Sequence, residues 1–288
     1  MTAALTLAGR PQTRPWRQSS VLPGFGLTLG FTLLWLSLIF LLPLSALILR
    51  PWELGLSGVW AAVTEPRVLS ALRLSFGAAA LAALVNGVLG LLIAWALVRY
   101  DFPGRRLADA LVDLPFALPT AVAGIALTAI YAPNGPLGAI LSDLGLKVAY
   151  TPLGIIVALV FVGLPFVVRT VQPVLEDLDR DVEEAARTLG ASSPQTTLRV
   201  VLPALAPALL TGCGLAFSRA VGEYGSVIFI AGNMPMRSEI APLLIVIKLE
   251  QFDYAGAAAV GLAMLVLSFG TLFVLNMVQG AFARRGMA

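Results

Sequence analysis

The sequence predicts an all-α membrane protein with six spanning helices. Only 12% of its 288 residues are charged, 58% are hydrophobic, and the mean hydropathy is +0.90. An average soluble domain has about 25% charged residues, so a water-soluble chain with this composition would lack the polar surface that it needs. The composition therefore excludes an ordinary soluble enzyme.

Six charge-free runs are each long enough to cross a bilayer, for which about 18 residues suffice. They are 18–49, 74–98, 114–142, 148–168, 200–218 and 254–283. Continuous apolar runs predict helices, because the strands of a membrane barrel alternate polar and apolar residues over about ten positions. The first run exceeds the apolar region of a signal peptide, about 7 to 15 residues, and is interpreted as a retained span.

Lys and Arg residues are distributed unevenly between the two sides of this bundle. If the N-terminus is cytoplasmic, twelve of the 19 basic residues lie in inside segments and six in outside segments. The excess predicts that both termini are cytoplasmic. We expect residues 1–24 to form a mobile cytoplasmic tail and residues 25–283 to form the transmembrane domain, with its core over 70–280.

Several kinds of chemistry are excluded by residues that the chain lacks. It has no His and one Cys, Cys213, which excludes His-based general bases, His/Cys metal sites and intramolecular disulfides. Its two lysines, Lys147 and Lys248, do not follow a glycine, so no Walker A loop is possible. We therefore predict no catalytic residue, no bound metal and no ATPase site in this chain.

The most polar part of the chain is the inside segment 169–203. From Asp179 to Leu189 good helix formers place apolar residues at helical spacing and acidic residues on the other face, which predicts an amphipathic helix. We expect Gly190 to end that helix.

A second short helix is expected next, capped by Ser192 or Ser193 and with Pro194 in its first turn. The resulting helix-turn-helix would present the small side chains of Ala185 and Ala186. By its residues alone, this segment is either a docking element for a partner or an amphipathic loop at the membrane interface.

Two charged residues, Arg219 and Glu223, interrupt the apolar stretch Val200–Pro235 and would share one helix face. A charge at the centre of a span costs about 2.5–3.5 kcal/mol, so both should face protein or water. We favour an internal ion pair that fixes helix packing or gate geometry; the alternative is that Arg219 faces a conduit for a divalent oxyanion. Gly222 and Gly225 either serve helix packing or form a bendable element near that path.

One loop motif resembles that of the ABC-importer permeases, EAA-x3-G-x9-[IV]-x-L-P. The matching residues are Glu184, Ala185, Ala186, Gly190, Val200, Leu202 and Pro203. The resemblance implies a six-helix bundle of the type I ABC importer (MetI-like) permease fold in a bacterial inner membrane. It also implies that 176–203 is a coupling loop seated in a separate cytoplasmic ATPase. That ATPase, and not this chain, would bind Mg-ATP, so no cofactor is expected here.

Three further segments, 113–138, 218–235 and 249–260, resemble the sulfate/thiosulfate branch of these permeases, and within it the T-type subunit. The implied function is a permease subunit for sulfate or thiosulfate. A molybdate or other oxyanion permease is the alternative. A stand-alone secondary transporter is disfavoured, because Glu223 is the one buried acid that we expect and no internal symmetry is visible.

The resemblance also implies a set of partners. These are a cytoplasmic ATPase dimer, a second permease subunit of the W type, and a periplasmic or lipid-anchored sulfate-binding protein, with membrane lipid around the bundle and no nucleic acid. The binding protein would deliver its anion to outside segments 50–73, 133–151 and 232–254.

Overall fold

The computed structural model describes residues 24–286 as an all-helical chain, so the predicted tail lies outside the described residues except for Gly24. The α-helices among these residues are α1 (Phe25–Leu36), α2 (Leu42–Leu49), α3 (Gly55–Thr64), α4 (Pro66–Arg99), α5 (Arg105–Val112), α6 (Leu114–Ala117), α7 (Thr120–Tyr131), α8 (Pro136–Asp143), α9 (Pro152–Asp177), α10 (Arg180–Thr188), α11 (Ser193–Thr196), α12 (Leu202–Val221), α13 (Val227–Ile230), α14 (Ala241–Glu250) and α15 (Tyr254–Gly286). Two π-helical segments (Ser37–Leu41, Thr197–Val201) and a 3-10 segment (Arg50–Leu54) complete them.

Five helical segments within residues 24–286 are long and apolar enough to cross a membrane. They are Phe25–Thr64, Pro66–Arg99, Pro152–Asp177, Ser193–Val221 and Tyr254–Met277. The pair α7 and α8, bent by 45°, makes a sixth if it counts as one span. Each predicted apolar run falls on one of these segments, so the expectation of an all-α chain with about six apolar helices is confirmed.

The first span up to Ala46 forms a compact unit of its own, made of α1, the segment Ser37–Leu41 and the start of α2. Its side chains are mostly apolar and almost all exposed, as expected of a helix that faces lipid.

The second unit, from Leu47 onward, is built around three mutually packed helices, α4, α9 and α12. Small residues allow these helices to approach closely. A Cβ atom on Gly90 of α4 would lie 2.7 Å from Val167 Cγ1 of α9, and one on Gly87 would lie 2.9 Å from Cys213 Sγ of α12. Cys213 is therefore a small, partly buried contact residue, as its apolar surroundings in the sequence suggest.

The segment 50–73, predicted to lie on the outside, is largely helical. The amphipathic α3 ends at Thr64, and α4 begins at Pro66, eight residues before the charge-free run. Pro66 suits the first position of a helix, because the missing N–H would have no partner there. Helix α4 therefore includes Arg67 and Arg73, the two charged residues that precede the charge-free run.

The apolar stretch Val200–Pro235 is not one continuous helix, and the prediction that Arg219 and Glu223 share a helix face is wrong. Helix α12 ends at Val221, Gly222 follows as its C-cap, and the chain turns before α13. Glycines at 222 and 225 make a regular helix costly here, since glycine loses more backbone entropy than other residues. Glu223 therefore lies in a turn and not on a helix face with Arg219.

Candidate functional site

The loop predicted over 176–203 begins with an N-capped helix. The carboxylate of Asp179 accepts a hydrogen bond of 3.0 Å from the backbone N–H of Asp181, and α10 follows directly. Acidic residues in the first turn of α10 and Arg187 in its last turn match the helix dipole. The helix predicted over Asp179–Leu189 is confirmed to within one residue at each end.

Gly190 ends α10 with a left-handed backbone conformation, at φ +86°. The N–H groups of Leu189, Gly190 and Ala191 donate to carbonyl oxygens of the last two turns, which gives these carbonyls partners at the helix end. An L-residue with a side chain is strained at this φ. The predicted stop is therefore confirmed, and its physical reason is the backbone angle.

The second short helix is held by a capping box. Ser192 accepts from the backbone of Gln195, and the Gln195 side chain accepts in turn from the Ser192 N–H at 2.9 Å. Pro194 lies in the first turn of α11, where it costs no hydrogen bond. Of the two predicted caps, Ser192 is the one used.

The end of the motif anchors the loop to the membrane bundle. The π-helical segment Thr197–Val201 joins α11 to α12, which starts at Leu202 with Pro203 in its first turn. Val201 is fully buried in a cluster with residues of α4 and α9. Val201 occupies the unspecified position of the motif between Val200 and Leu202, which are half-buried, while Pro203 is exposed. The loop is therefore fixed to the core of three helices through Val201.

An apolar stripe on α10 lies open to solvent. Val182, Ala185 and Leu189 share one helix face and are exposed, with Leu189 at 89%. Glu184 is exposed beside them, whereas Ala186 is half-buried. An exposed apolar stripe on a short, capped helix is the kind of surface that fits a groove of another protein.

Glu183, which was not among the residues predicted from the sequence, points the other way. Its carboxylate accepts a hydrogen bond from the guanidinium of Arg99, the last residue of α4. Only 12% of the Arg99 side chain and 14% of the Glu183 side chain are exposed. One feature of the sequence could have indicated this contact. Arg99 directly follows the second charge-free run, and α10 carries acidic residues on one face.

The predicted ion pair between Arg219 and Glu223 is present, with 2.5 Å between Arg219 Nη1 and Glu223 Oε2. Glu223 is 2% exposed, and its Oε1 also accepts hydrogen bonds of 3.0 Å from the backbone N–H and the hydroxyl of Ser226. The Arg219 side chain is 37% exposed. Glu223 therefore fixes the turn after α12, while the Arg219 side chain stays partly exposed.

The two glycines of this turn have different surroundings. A Cβ on Gly225 would lie 3.2 Å from Thr120 Cβ, so Gly225 permits close packing of the turn against α7. A Cβ on Gly222 would meet nothing within 4 Å. Gly225 is therefore a packing residue. The space around Gly222 leaves room for the C-terminal end of α12 to change its conformation.

A second buried acid, Glu239, lies between α13 and α14. Arg67 of α4 binds it with two hydrogen bonds, Nε to Oε2 at 2.8 Å and Nη2 to Oε1 at 2.7 Å. Ser75 of α4 accepts from the Ala241 N–H at 2.8 Å next to this pair. The expectation that Glu223 is the one buried acid is therefore wrong, because residues 172 positions apart are brought together only by the fold.

An arginine on α9 fastens the short helix α5. Arg169 donates two hydrogen bonds to the carboxylate of Asp113, at 2.8 and 2.7 Å, and one of 2.6 Å to Asp109. Its guanidinium holds the pKa of the Asp113 carboxyl below its ordinary value, chiefly through these hydrogen bonds. The entrance to the third span is thus attached to the helix that leads into α10.

The sequence profile of the family described as "binding-protein-dependent transport system inner membrane component" matches residues 86–285. The chain is 51% identical over 265 residues to the sulfate transport system permease protein CysT of Salmonella typhimurium, covering 92% of this chain and 96% of that protein. It is 48% identical to the protein of that name from Synechocystis, covering 86% of this chain and 87% of that protein.

Solved structures share the fold at low sequence identity. One is a bacterial alginate ABC transporter in complex with an alginate pentasaccharide-bound periplasmic protein, with a TM-score of 0.71 and 18% identity over 87% of this chain and 91% of that chain. Another is the MetNI methionine ABC transporter in inward-facing conformations, with a TM-score of 0.51 and 18% identity over 75% of this chain and 94% of that chain.

Proposed function

Because the chain belongs to the family of inner membrane components of binding-protein-dependent transport systems, we propose that it is a permease subunit of an ATP-driven sulfate/thiosulfate importer. The observation that carries the proposal is the capped α10, with its exposed stripe and Gly190 turn, in a chain half identical to sulfate permeases. The subunit forms part of the translocation path and catalyses no reaction.

In this proposal α10 is the docking element for the ATPase. Its exposed stripe of Val182, Ala185 and Leu189 enters a cleft of the ATPase, and Glu184 contacts the rim of that cleft. Mg-ATP is bound by an ATPase dimer, since this chain has no Walker A loop. Closure of that dimer on ATP moves α10 and shifts the permease pair between inward-facing and outward-facing states.

The proposed arrangement places both termini in the cytoplasm of a bacterial cell, with residues 1–24 as a tail and 25–283 as the transmembrane domain. The Lys/Arg bias of the loops supports this orientation. A W-type permease completes the path, and a periplasmic or lipid-anchored sulfate-binding protein docks on the outer side.

Arg219 and Glu223 are the proposed pathway or gate residues, together with Gly222 and Gly225. Glu223 is fixed by Ser226, so the pair primarily sets the geometry of the turn after α12. The exposed side of Arg219 gives it a second proposed role, since a guanidinium there lowers the barrier to a divalent oxyanion. The Gly225 contact with α7 transmits any movement of this turn to the third span.

The test is oxyanion-stimulated ATP hydrolysis by the complete complex, reconstituted in proteoliposomes with its binding protein. Sulfate and thiosulfate are expected to stimulate hydrolysis more strongly than molybdate. Stronger stimulation by molybdate would contradict the substrate assignment and leave the permease assignment intact. Failure of any ATPase subunit to co-purify with the chain would contradict the importer assignment itself.

A further inference from the structure

Helix α4 is fastened by an ion pair at each of its two ends. At one end Arg67 binds Glu239, in the segment between α13 and α14. At the other end Arg99 binds Glu183 on α10. The helix between them is 34 residues long without a break, about 50 Å at 1.5 Å per residue.

The interior of α4 is suited to moving as one rigid body. It packs on α9 and α12 through small residues, including Ala79, Ala82 and Gly90. It runs without a break from Pro66 to Arg99 and contains no proline after Pro66, so it lacks one common cause of a sharp kink. A displacement of one end is therefore carried to the other end.

The contact of Arg99 with α10 depends on Glu183. The guanidinium lies 5.9 Å from the ring centroid of Trp95, and Nε is buried with no hydrogen-bond partner in the part of the chain that the structure describes. Removing Glu183 would thus leave a largely buried charge without its hydrogen-bonded countercharge, which is strongly unfavourable. The pair should therefore persist while α10 moves.

Glu183 and the docking surface lie on different faces of α10. Glu183 faces α4, whereas the stripe of Val182, Ala185 and Leu189 is exposed. A cleft of about 310 Å³ between the two helices, lined by Arg99 and Arg187 among others, opens next to the pair. Glu184 is exposed as well and lines this cleft beside Arg99. A partner that pushes on the exposed face of α10 consequently pushes the Arg99–Glu183 contact.

We propose that Arg99 and Glu183 are positioning residues that transmit movement of the docking helix α10 to α4, and through α4 to the Arg67–Glu239 contact at its far end. The inference rests on the proposed function, since it needs an ATPase that moves α10. The backbone links α10 to α9 and, through α11, to α12, but it provides no direct link to α4. The ion pair supplies that link.

The experiment measures sulfate uptake per ATP hydrolysed in proteoliposomes of the complete complex. Three forms are compared with the parent: Arg99→Gln, Glu183→Gln, and the exchange Arg99→Glu with Glu183→Arg. The matched control is Arg105→Gln, which removes an exposed ion pair with Asp101 close to the same end of α4. Co-purification of the ATPase is measured for every form.

Both single variants are expected to keep the ATPase bound and hydrolysing while uptake per ATP falls about tenfold, the effect of roughly 1.4 kcal/mol. The exchange should restore most of the ratio, and Arg105→Gln should leave it unchanged. An unchanged ratio in both single variants would overturn the inference. Loss of ATPase binding in them would also overturn it, because the pair would then serve docking. A parent complex without ATP-driven uptake would contradict the proposed function instead.

Discussion

The backbone of Gly124 in α7 lies directly against the backbone of Ser226, so a methyl group on Gly124 would meet Ser226 Cα at 2.8 Å. Ser226 in turn donates two hydrogen bonds to Glu223. The third span and the turn that carries the buried acid are thus in backbone contact, with no side chain between them.

This contact predicts that Gly124→Ala destabilises the protein. Backbone atoms cannot move aside as a side chain can, so the overpacking should cost about 1–3 kcal/mol. The control is Gly77→Ala on α4, where a Cβ would meet nothing within 4 Å and helix propensity favours alanine. Thermal unfolding of the two variants in detergent should differ clearly, and equal unfolding temperatures would contradict the packing argument.

For the turn after α12, we expect Arg219→Lys to retain more sulfate uptake than Arg219→Gln at equal expression. The lysine keeps the positive charge near Glu223 and near the proposed path, whereas glutamine leaves Glu223 buried and without a countercharge. Uptake of labelled sulfate by cells measures this. Equal loss of uptake in both variants would contradict a role for the positive charge. The loss would then be attributed to the geometry of the guanidinium.

For the docking helix, Glu184→Lys and Gly190→Asp should each release the ATPase subunit during purification. The first reverses a charge on the exposed face of α10, and the second places a charged side chain at φ +86°, in the turn that ends the docking helix.

Gly145→Asp is the matched control for the glycine, since Gly145 has φ +78° in the loop after α8, far along the chain from α10. It should retain the ATPase. Retention of the ATPase by both α10 variants would favour a loop that lies on the membrane surface.

Acidification should weaken the attachment of α5 to α9. The pKa of Asp113 is lower in the folded protein than its ordinary value of 3.8, because Arg169 donates hydrogen bonds to the ionised form. The stabilisation is therefore complete above the unfolded-state pKa and is lost as the pH falls through the folded-state pKa.

Asp113→Asn should accordingly lower the unfolding temperature at pH 7 by about 2–4 °C or less, since a partly exposed pair contributes at most about 1 kcal/mol. The difference between variant and parent should shrink as the pH falls below about 4. A constant difference across this range, measured by thermal unfolding, would show that ionisation of Asp113 is not the cause.

The sequence was informative where the determining interactions are local. The α10 helix, the Gly190 stop and the Ser192 cap depend on neighbours within four residues. The helix and the stop were predicted, and the cap was narrowed to Ser192 or Ser193. Continuous apolar runs located the spans for the same reason.

Long-range relationships could not be predicted in this way. Arg99 and Glu183 are 84 residues apart, and whether Glu183 faces α4 or a partner depends on how α10 is placed. The break after Val221 was missed because an apolar composition does not distinguish a continuous helix from a helix, a turn and a short helix.

The π-helical segment Thr197–Val201 has a consequence for chain length. The N–H of Leu202 donates to the carbonyl of Thr197, five residues back, so this turn encloses one residue more than an α-helical turn. Deleting one residue here would convert the segment to an ordinary α-helix without rotating α12 relative to the Gly190 turn, whereas a deletion inside α12 would rotate every later side chain by about 100°. The connection between the docking helix and the fifth span therefore contains one residue more than an α-helix needs, and that residue lies within Thr197–Val201.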